Sequence, residues 1–334
     1  MVYNKINFNK KTILITGGAG FIGSNLAFYL QQNFPDSNIV IFDCFRSETT
    51  FSNGNLKSFG HFKNLIGFKG RIICGNINSQ DDLNLLSDYK FDYIFHQAAI
   101  SDTRVYDQQI VMETNINSFY SLLKIAKRDN AAIIYASSAA TYGSLPSPQI
   151  EGCENPENPY GFSKLMMDKI ASNFSSENAD MLIVGLRYFN VYGPREYYKR
   201  NTSSMVIQFG HQILNGSPPR LFEGSDKIFR DFIYIDDAIQ ANIKACLPKK
   251  NGVYNVGTGV PRSFQDIADI LQKEFGTSFK TDYFKNPYDG YQIHTKADIS
   301  SSKANLNFKP QLSLEQGIKA YTQEIKRLHR TETL

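Results

Sequence analysis

Ser138, Tyr160 and Lys164 have the types and order needed to take a proton from an alcohol. Removing hydride from a carbinol carbon requires the hydroxyl proton to leave as well. A tyrosine is a poor base at its unperturbed pKa of about 10. A nearby ammonium stabilises the phenolate and lowers that value. Tyr160 and Lys164 stand four apart, one helical turn, so they share a face. Ser137 and Ser138 close an apolar run, Ile133 to Ala136, where a hydroxyl can hold the same substrate oxygen. The Tyr-x-x-x-Lys spacing alone says little, because a chain with 19 tyrosines produces chance matches. Tyr120 and Lys124 form one such match inside an amphipathic stretch, and they are assigned to packing.

A second pattern points to a phosphate cradle. Gly17-Gly18-Ala19-Gly20-Phe21-Ile22-Gly23 lies between the apolar run Thr12 to Thr16 and a helical stretch from Ser24 to Asn33. Glycines there permit a tight turn and let backbone amides approach a pyrophosphate at a helix N-terminus. Asp43, which closes the next apolar run, suits the ribose hydroxyls of a dinucleotide. Arg46, three residues on, suits a 2′-phosphate instead, so NAD and NADP both stay open.

These groups need a scaffold that brings strand ends together. Unalternating apolar runs at Thr12–Thr16, Asn38–Phe42, Arg71–Cys74, Tyr93–His96, Ile133–Ala136 and Leu182–Leu186 suit strands buried on both faces. Helical patterns separate most of them, such as Ile116 to Arg128 and Tyr160 to Phe174. The expected fold is α/β, a Rossmann-type doubly wound parallel sheet, with a smaller C-terminal substrate-binding lobe. The alternation fades after Arg187. This places a dinucleotide-binding domain over residues 1–188, with 231–250 crossing back, and a lobe over 189–230 and 251–330.

The bulk numbers agree with an enzyme of this kind. The chain has 334 residues, 42% hydrophobic and 20% charged, with net charge +4. Its Lys and Arg are scattered rather than blocked, which argues against nucleic acid and suits an anionic small molecule. Cys44, Cys74, Cys153 and Cys246 lack metal-ligand spacing, so no metal is expected. Residues 1–11 are polar with no apolar h-region behind them, and the next apolar stretch is broken by glycines well short of a membrane span, so no membrane span is expected; the reading is a cytoplasmic protein.

The motifs Thr16 to Gly23, His96-Gln97-Ala98-Ala99, Ser137 to Gly143 and Tyr160 to Lys164 resemble the extended short-chain dehydrogenase/reductase family, also described as NAD-dependent epimerases/dehydratases. Arg187 to Glu196, Leu221 to Ser225, Arg230-Asp231-Phe232 and Tyr291 to Asp298 are similar to the branch of that family that epimerises ADP-activated heptose at C6 for lipopolysaccharide core. The resemblance implies bound NADP, with NAD as the alternative, and an ADP-heptose substrate. It gives Ser138, Tyr160 and Lys164 their roles and adds Lys199 as a second acid/base. It implies cofactor contacts at Gly17, Gly20, Phe21, Ile22, Gly23, Asp43, Cys44, Arg46, Asn76, Gln97, Ala98, Ala99, Asn115 and Val191, beside Tyr160 and Lys164. Substrate contacts are implied at Ser101, Ser138, Asn190, Asn201, Gln208, Phe222, Glu223, Gly224, Ser225, Arg230 and Tyr291, with Arg230 as the diphosphate partner. Phe222 suits plain core equally well. A homo-oligomer is implied, in the family a pentamer. The segment from Ser52 to Gly70 is longer than in many relatives, and Asn76 stands where many carry Asp. The rivals are a UDP-hexose 4-epimerase and an inactive NADP-binding scaffold. A 4,6-dehydratase fits less well, because Ala139-Ala140 occupy the place of its Asp-Glu pair.

Overall fold

The computed structural model describes residue 3 and residues 6–286 and 292–332. Seven parallel strands form the main sheet. In chain order the strands are β1 (Thr12–Thr16), β2 (Asn38–Asp43), β3 (Arg71–Cys74), β4 (Tyr93–His96), β5 (Ala132–Ser138) and β6 (Ile183–Tyr188), then β7 (Asn190–Tyr192), β8 (Arg220–Phe222), β9 (Phe229–Tyr234), β10 (Gly252–Val256), β11 (Pro261–Ser263) and β12 (Asp282–Phe284). The main sheet runs β10-β6-β5-β4-β1-β2-β3. Its order reverses at β1, which pairs β2 on one side and β4 on the other, and ligands of such sheets bind at the strand ends beside that reversal.

The continuous apolar runs have a direct cause. Ile13 and Ile15 pack into the core on one face of the sheet, and Leu14 packs into the core on the other. Both faces are covered by helices: α1 (Phe21–Asn33), α2 (Gln80–Asn84), α3 (Gln108–Met112), α4 (Ser118–Asp129), α5 (Pro159–Glu177), α6 (Met205–Leu214), α7 (Ile235–Lys244), α8 (Phe264–Phe275), α9 (Ser300–Leu306) and α10 (Leu314–Thr331). Helix α1 begins at Phe21, three residues before the expected start, so the glycine turn is tighter than the pattern suggested. A single π turn, Glu113–Asn117, joins α3 to α4. No described helix is long and apolar enough to cross a membrane, and no group of three or more metal-ligating side chains gathers among the described residues.

The domain boundaries shift from the expected ones. Strand β10 joins the main sheet through β6, although 251–330 was expected to belong wholly to the lobe. Its Tyr254 and Val256 are buried there, and that cross-strand pairing leaves no mark in local sequence. Residues 231–234 instead lie in β9 of a separate sheet, ordered β11-β9-β7. The expected crossing back therefore consists of α7 and β10.

One buried acid ties the lobe together. Asp231, fully buried in β9, accepts hydrogen bonds from the Thr258 amide (2.7 Å) and hydroxyl (2.7 Å), the Gly259 amide (2.8 Å) and the Ala297 amide (3.0 Å). Asp231→Ala removes the acceptor of these buried and half-buried donors, at about 1–3 kcal/mol for each one left without a partner. In a denaturant titration the midpoint falls, with a loss of about 3 kcal/mol or more.

Candidate active site

A cleft of about 770 Å³ runs along the carboxyl ends of β1, β2, β4, β5 and β6. At its floor, α1 has Gly20 as its N-cap, with no side-chain cap, so the amides of its first turn remain for a ligand. The one protein atom within 4 Å of a Cβ built on Gly20 is the Gly17 carbonyl at 3.2 Å. A side chain there would stand in the cleft where a diphosphate belongs. The cradle therefore fits a dinucleotide. Gly17, Gly20, Phe21, Ile22, Gly23, Asp43, Cys44, Asn76, Gln97, Ala98, Ala99 and Val191 all line the cleft.

Two of the expected cofactor residues stand elsewhere. Arg46 is outside the lining, because Phe45 takes a left-handed turn (φ 55°) and Arg46 N–H bonds the Gly60 carbonyl at 2.7 Å. Its guanidinium faces the Tyr198 carbonyl at 3.5 Å. Asn115 is fully buried behind the wall, where its amide brackets Ile100 N–H (2.9 Å) and C=O (3.0 Å) and reaches Ser163 Oγ (2.9 Å). It holds the 97–100 backbone in place and makes no wall of its own. Lys57, Ser58, Phe59 and Gly60, from the long segment after β2, form wall that the sequence reading did not assign.

The proton-handling groups converge at the end of β5. Asn158 caps α5 by accepting from Gly161 N–H at 2.8 Å, with Pro159 in the first turn. Gly161 lacks a Cβ that would otherwise collide with the Ala140 carbonyl, so α5 closes onto the turn after Ser138. The Tyr160 hydroxyl thereby comes within reach of the Ser138 hydroxyl. Burial pushes the phenol up, and the Ser138 hydroxyl pulls it back. Lys164 is buried, donates to the Ala136 carbonyl at 2.7 Å and lies 5.9 Å from the Tyr160 ring centre. Burial lowers its pKa to about 7, against the pull of Asp168.

Asp168 was not singled out from the sequence, although 160, 164 and 168 repeat at one helical turn. Its buried carboxylate accepts from Tyr135 OH (2.9 Å), Ser137 Oγ (3.0 Å) and Arg187 Nε (3.0 Å) and Nη2 (2.8 Å). Arg187 in turn reaches Glu154 at 2.6 Å.

Lys199 also enters the cleft. It is carried by the turn Tyr197–Thr202, with Nζ 5.7 Å from the centre of the Phe21 ring. Burial lowers its pKa, and the charges of Glu196 and Asp102 oppose that fall. Glu196 fixes the loop by accepting from Gly193 N–H (3.1 Å) and from Ser204 N–H (2.7 Å) and Oγ (2.8 Å).

The expected substrate residues divide. Ser101, Ser138 and Asn190 line the cleft, joined by Thr202 to Met205, Phe232 and Phe264, which the sequence reading missed. Asn201, Gln208, Phe222, Glu223, Gly224, Ser225 and Arg230 lie outside it. Gln208 donates to the Ser203 carbonyl at 2.7 Å, and Phe222 packs edge-on against Phe284 at 5.0 Å. Ser225 Oγ bonds the Phe222 carbonyl, while Arg230 bonds the Phe229 (2.9 Å) and Gln292 carbonyls. The turn after β8 belongs to the separate β8–β12 pair, which sets it apart from the cleft. Arg230 still lies 5.9 Å from the ring of Phe264, a cleft residue. Tyr291 lies outside the described residues.

Residues 13–257 match the model of the NAD dependent epimerase/dehydratase family. The chain belongs to that family. Over 324 residues it is 35% identical to an ADP-L-glycero-D-manno-heptose-6-epimerase of Brachyspira hyodysenteriae, covering 94% of this chain and 98% of that one. The crystal structure of Helicobacter pylori ADP-L-glycero-D-manno-heptose-6-epimerase is similar with a TM-score of 0.89 and 48% identity, covering 98% of this chain and 99% of the other. UDP-glucuronic acid 4-epimerase from Bacillus cereus, solved with UDP-glucuronic acid and NAD, gives a TM-score of 0.80 at 31% identity over 95% of this chain and 99% of that one. The cofactor of this epimerase is a nicotinamide dinucleotide.

Lys164 keeps its proton below about pH 7, so its support of Tyr160 is present at low pH and is lost as pH rises through that value. Asp168→Asn removes the charge that raises the lysine's affinity for its proton. The limb of the pH profile of kcat/KM that falls with Lys164 deprotonation then moves to lower pH. A limb that stays in place shows that Asp168 does not act on Lys164.

Proposed function

We propose that the enzyme inverts C6 of ADP-D-glycero-D-manno-heptose to the L-glycero epimer, a step in building lipopolysaccharide core heptose. One observation carries the reading: Lys199, a second and half-buried amine, enters the same cleft as the Ser138–Tyr160–Lys164 set. A single base serves one orientation of a carbonyl, whereas inversion presents both faces. A nicotinamide dinucleotide held by the Gly17–Gly23 cradle would supply reversible hydride transfer at C6. Tyr160 removes the C6 hydroxyl proton, with Ser138 holding that oxygen and the Lys164 ammonium favouring the phenolate. The 6-keto sugar then turns about the adjacent exocyclic bond. In the new orientation its oxygen faces Lys199, which donates the proton. The overall change is stereochemical, with no net redox.

We further propose NADP as the natural cofactor. The Asp43 carboxylate accepts from Ala19 N–H (2.9 Å) and Phe45 N–H (2.8 Å), and Gly60 packs against it. Those contacts compete with a ribose diol, while Lys57 and Ser58 nearby suit a phosphate. The same reading has the enzyme acting in the cytoplasm as a homo-oligomer, a pentamer by family likeness. Phe62 and Ile66, 62% and 69% exposed, support an interface on that side.

Purified enzyme offered a panel of nucleotide sugars, with products followed by NMR, converts the ADP-heptose to its L-glycero epimer. Turnover of UDP-glucose without the heptose would replace this reading with a hexose 4-epimerase. Tyr160→Phe loses on the order of 10²–10⁴ in rate, and Lys199→Met, which keeps the stem but not the ammonium, loses epimerisation comparably. A Lys199→Met variant at parent rate would remove the second acid/base from the mechanism.

For the cofactor, calorimetric titration of cofactor-stripped protein gives tighter binding of NADP than NAD. Lys57→Ala weakens NADP by about tenfold and leaves NAD nearly unchanged, as expected for one charge-assisted phosphate contact. Equal loss for both assigns Lys57 to the wall alone.

A further inference from the structure

The long segment after β2 touches both the phosphate cradle and the loop that carries Lys199. His61 joins them beside Lys199 itself, as Asn64 joins them at Arg195. The His61 N–H bonds the Ala19 carbonyl at 3.0 Å, and Asn64 Nδ2 reaches the same oxygen at 3.1 Å. Ala19 stands inside the glycine turn, so the segment is fastened to the cradle by two bonds to one atom. On its other side the imidazole lies flat on Tyr198, with ring centres 3.8 Å apart and planes 5° from parallel. Tyr198 is the residue before Lys199. The stack is held from below by Phe62, whose ring lies 4.9 Å from His61, and by Lys63 N–H, which donates to His61 Nδ1 at 3.2 Å. Burial and the nearby cations Arg46 and Lys63 lower the pKa of His61 to about 4, so the ring is neutral at neutral pH. A neutral ring stacks on a phenol without carrying charge to the cleft.

The loop needs such a support. Lys199 sits in a turn in which Arg200 adopts φ 52°, and its backbone is fixed by Lys199 N–H to the Glu196 carbonyl (2.9 Å) and by Thr202 Oγ1 to the Lys199 carbonyl (2.7 Å). Those bonds set the turn's shape. They do not set its distance from the phosphate cradle, where the Lys199 ammonium must lie over Phe21. Upstream of Lys199 the loop is tied to α1 by Asn25 Nδ2 to the Pro194 carbonyl (2.9 Å) and by Arg195 to Asn25 Oδ1 (3.2 Å), and the Tyr198 ring on His61 is the ring contact next to Lys199 itself.

We propose that His61 is a positioning residue for Lys199: its ring, stacked on Tyr198, fixes the second acid/base against the phosphate cradle. The inference rests on the two-base reading above. It predicts a selective loss, because the Tyr160 side of the site is anchored separately through α5 and Asp168. Displacing a reacting group by about an ångström costs up to about a hundredfold in rate.

The test compares two reactions of the intact enzyme with its cofactor. The first is epimerisation of the ADP-heptose, which uses both acid/base groups. The second is dismutation of an ADP-sugar analogue with an aldehyde at C6. There two aldehydes and one water give one alcohol and one acid, with hydride passed between them through the enzyme's own cofactor, and one acid/base group suffices. His61→Ala lowers epimerisation about ten- to a hundredfold, while dismutation stays within about threefold of the parent. His61→Phe restores the stack without the bond from Lys63 N–H and recovers epimerisation to within about threefold. If His61→Ala does not fold, Tyr198→Leu against Tyr198→Phe makes the same comparison from the other ring. Unimpaired epimerisation in His61→Ala, equal losses in the alanine and phenylalanine variants, or a parallel fall of both reactions would each overturn the proposal. Lys199→Met is run alongside. If it epimerises at parent rate, the two-base reading fails and this inference with it; if it is inactive while His61→Ala is unimpaired, this inference alone fails.

Discussion

The active site depends on one buried carboxylate. Asp168 receives bonds from the strand that ends in Ser138, from β6 through Arg187, and stands one turn beyond Lys164 on α5. It therefore fixes the depth at which α5 meets the sheet, and so the place of Tyr160. A buried ion pair is a weak source of net stability, because desolvating both charges offsets most of their attraction. What it supplies is a single permitted arrangement. Arg187 is satisfied when Asp168 and Glu154 are both in reach, and a slip of α5 by one turn would strand the charges.

Electrostatics around the two lysines follow the same logic. Each ammonium is held in surroundings that favour losing its proton, and each is opposed by carboxylates that do not touch the reacting atoms. For Lys164 the opposing charge is Asp168; for Lys199 it is Glu196 and Asp102. An amine whose pKa is lowered gives up its proton more readily than a solvated one. The two lysines lie on different elements, one on α5 and one on the turn Tyr197–Thr202.

The dinucleotide half of the cleft is built from the sheet's reversal point, which any doubly wound sheet provides. The segment after β2 completes this half. It covers Asp43, supplies Lys57 and Ser58 to the wall, and fastens itself to the glycine turn through His61 and Asn64. Asn53 and Asn55 of the same segment bond the Asp102 carboxylate, which joins it to the loop after β4 as well.

The sequence by itself determined the parallel sheet, the glycine cradle and the Ser138–Tyr160–Lys164 set. These are written in neighbouring residues: unbroken apolar runs that must be buried on both faces, glycines between a strand and a helix, and a one-turn spacing on one helix. Tertiary structure decided the rest. Arg46 turned away because the chain reverses at Phe45, and Asn115 withdrew behind the wall because a buried amide must satisfy its hydrogen bonds. β10 joined the main sheet by pairing with β6 some seventy residues away, a contact no local pattern encodes. The Lys199 ammonium could have been solvated on any loop, and the packing of that loop, held through Glu196 and against α1, carries it into the cleft over Phe21. Local spacing fixes which groups share an element, whereas the meeting of groups from distant elements is set by side-chain packing and by the requirement that buried charges find partners.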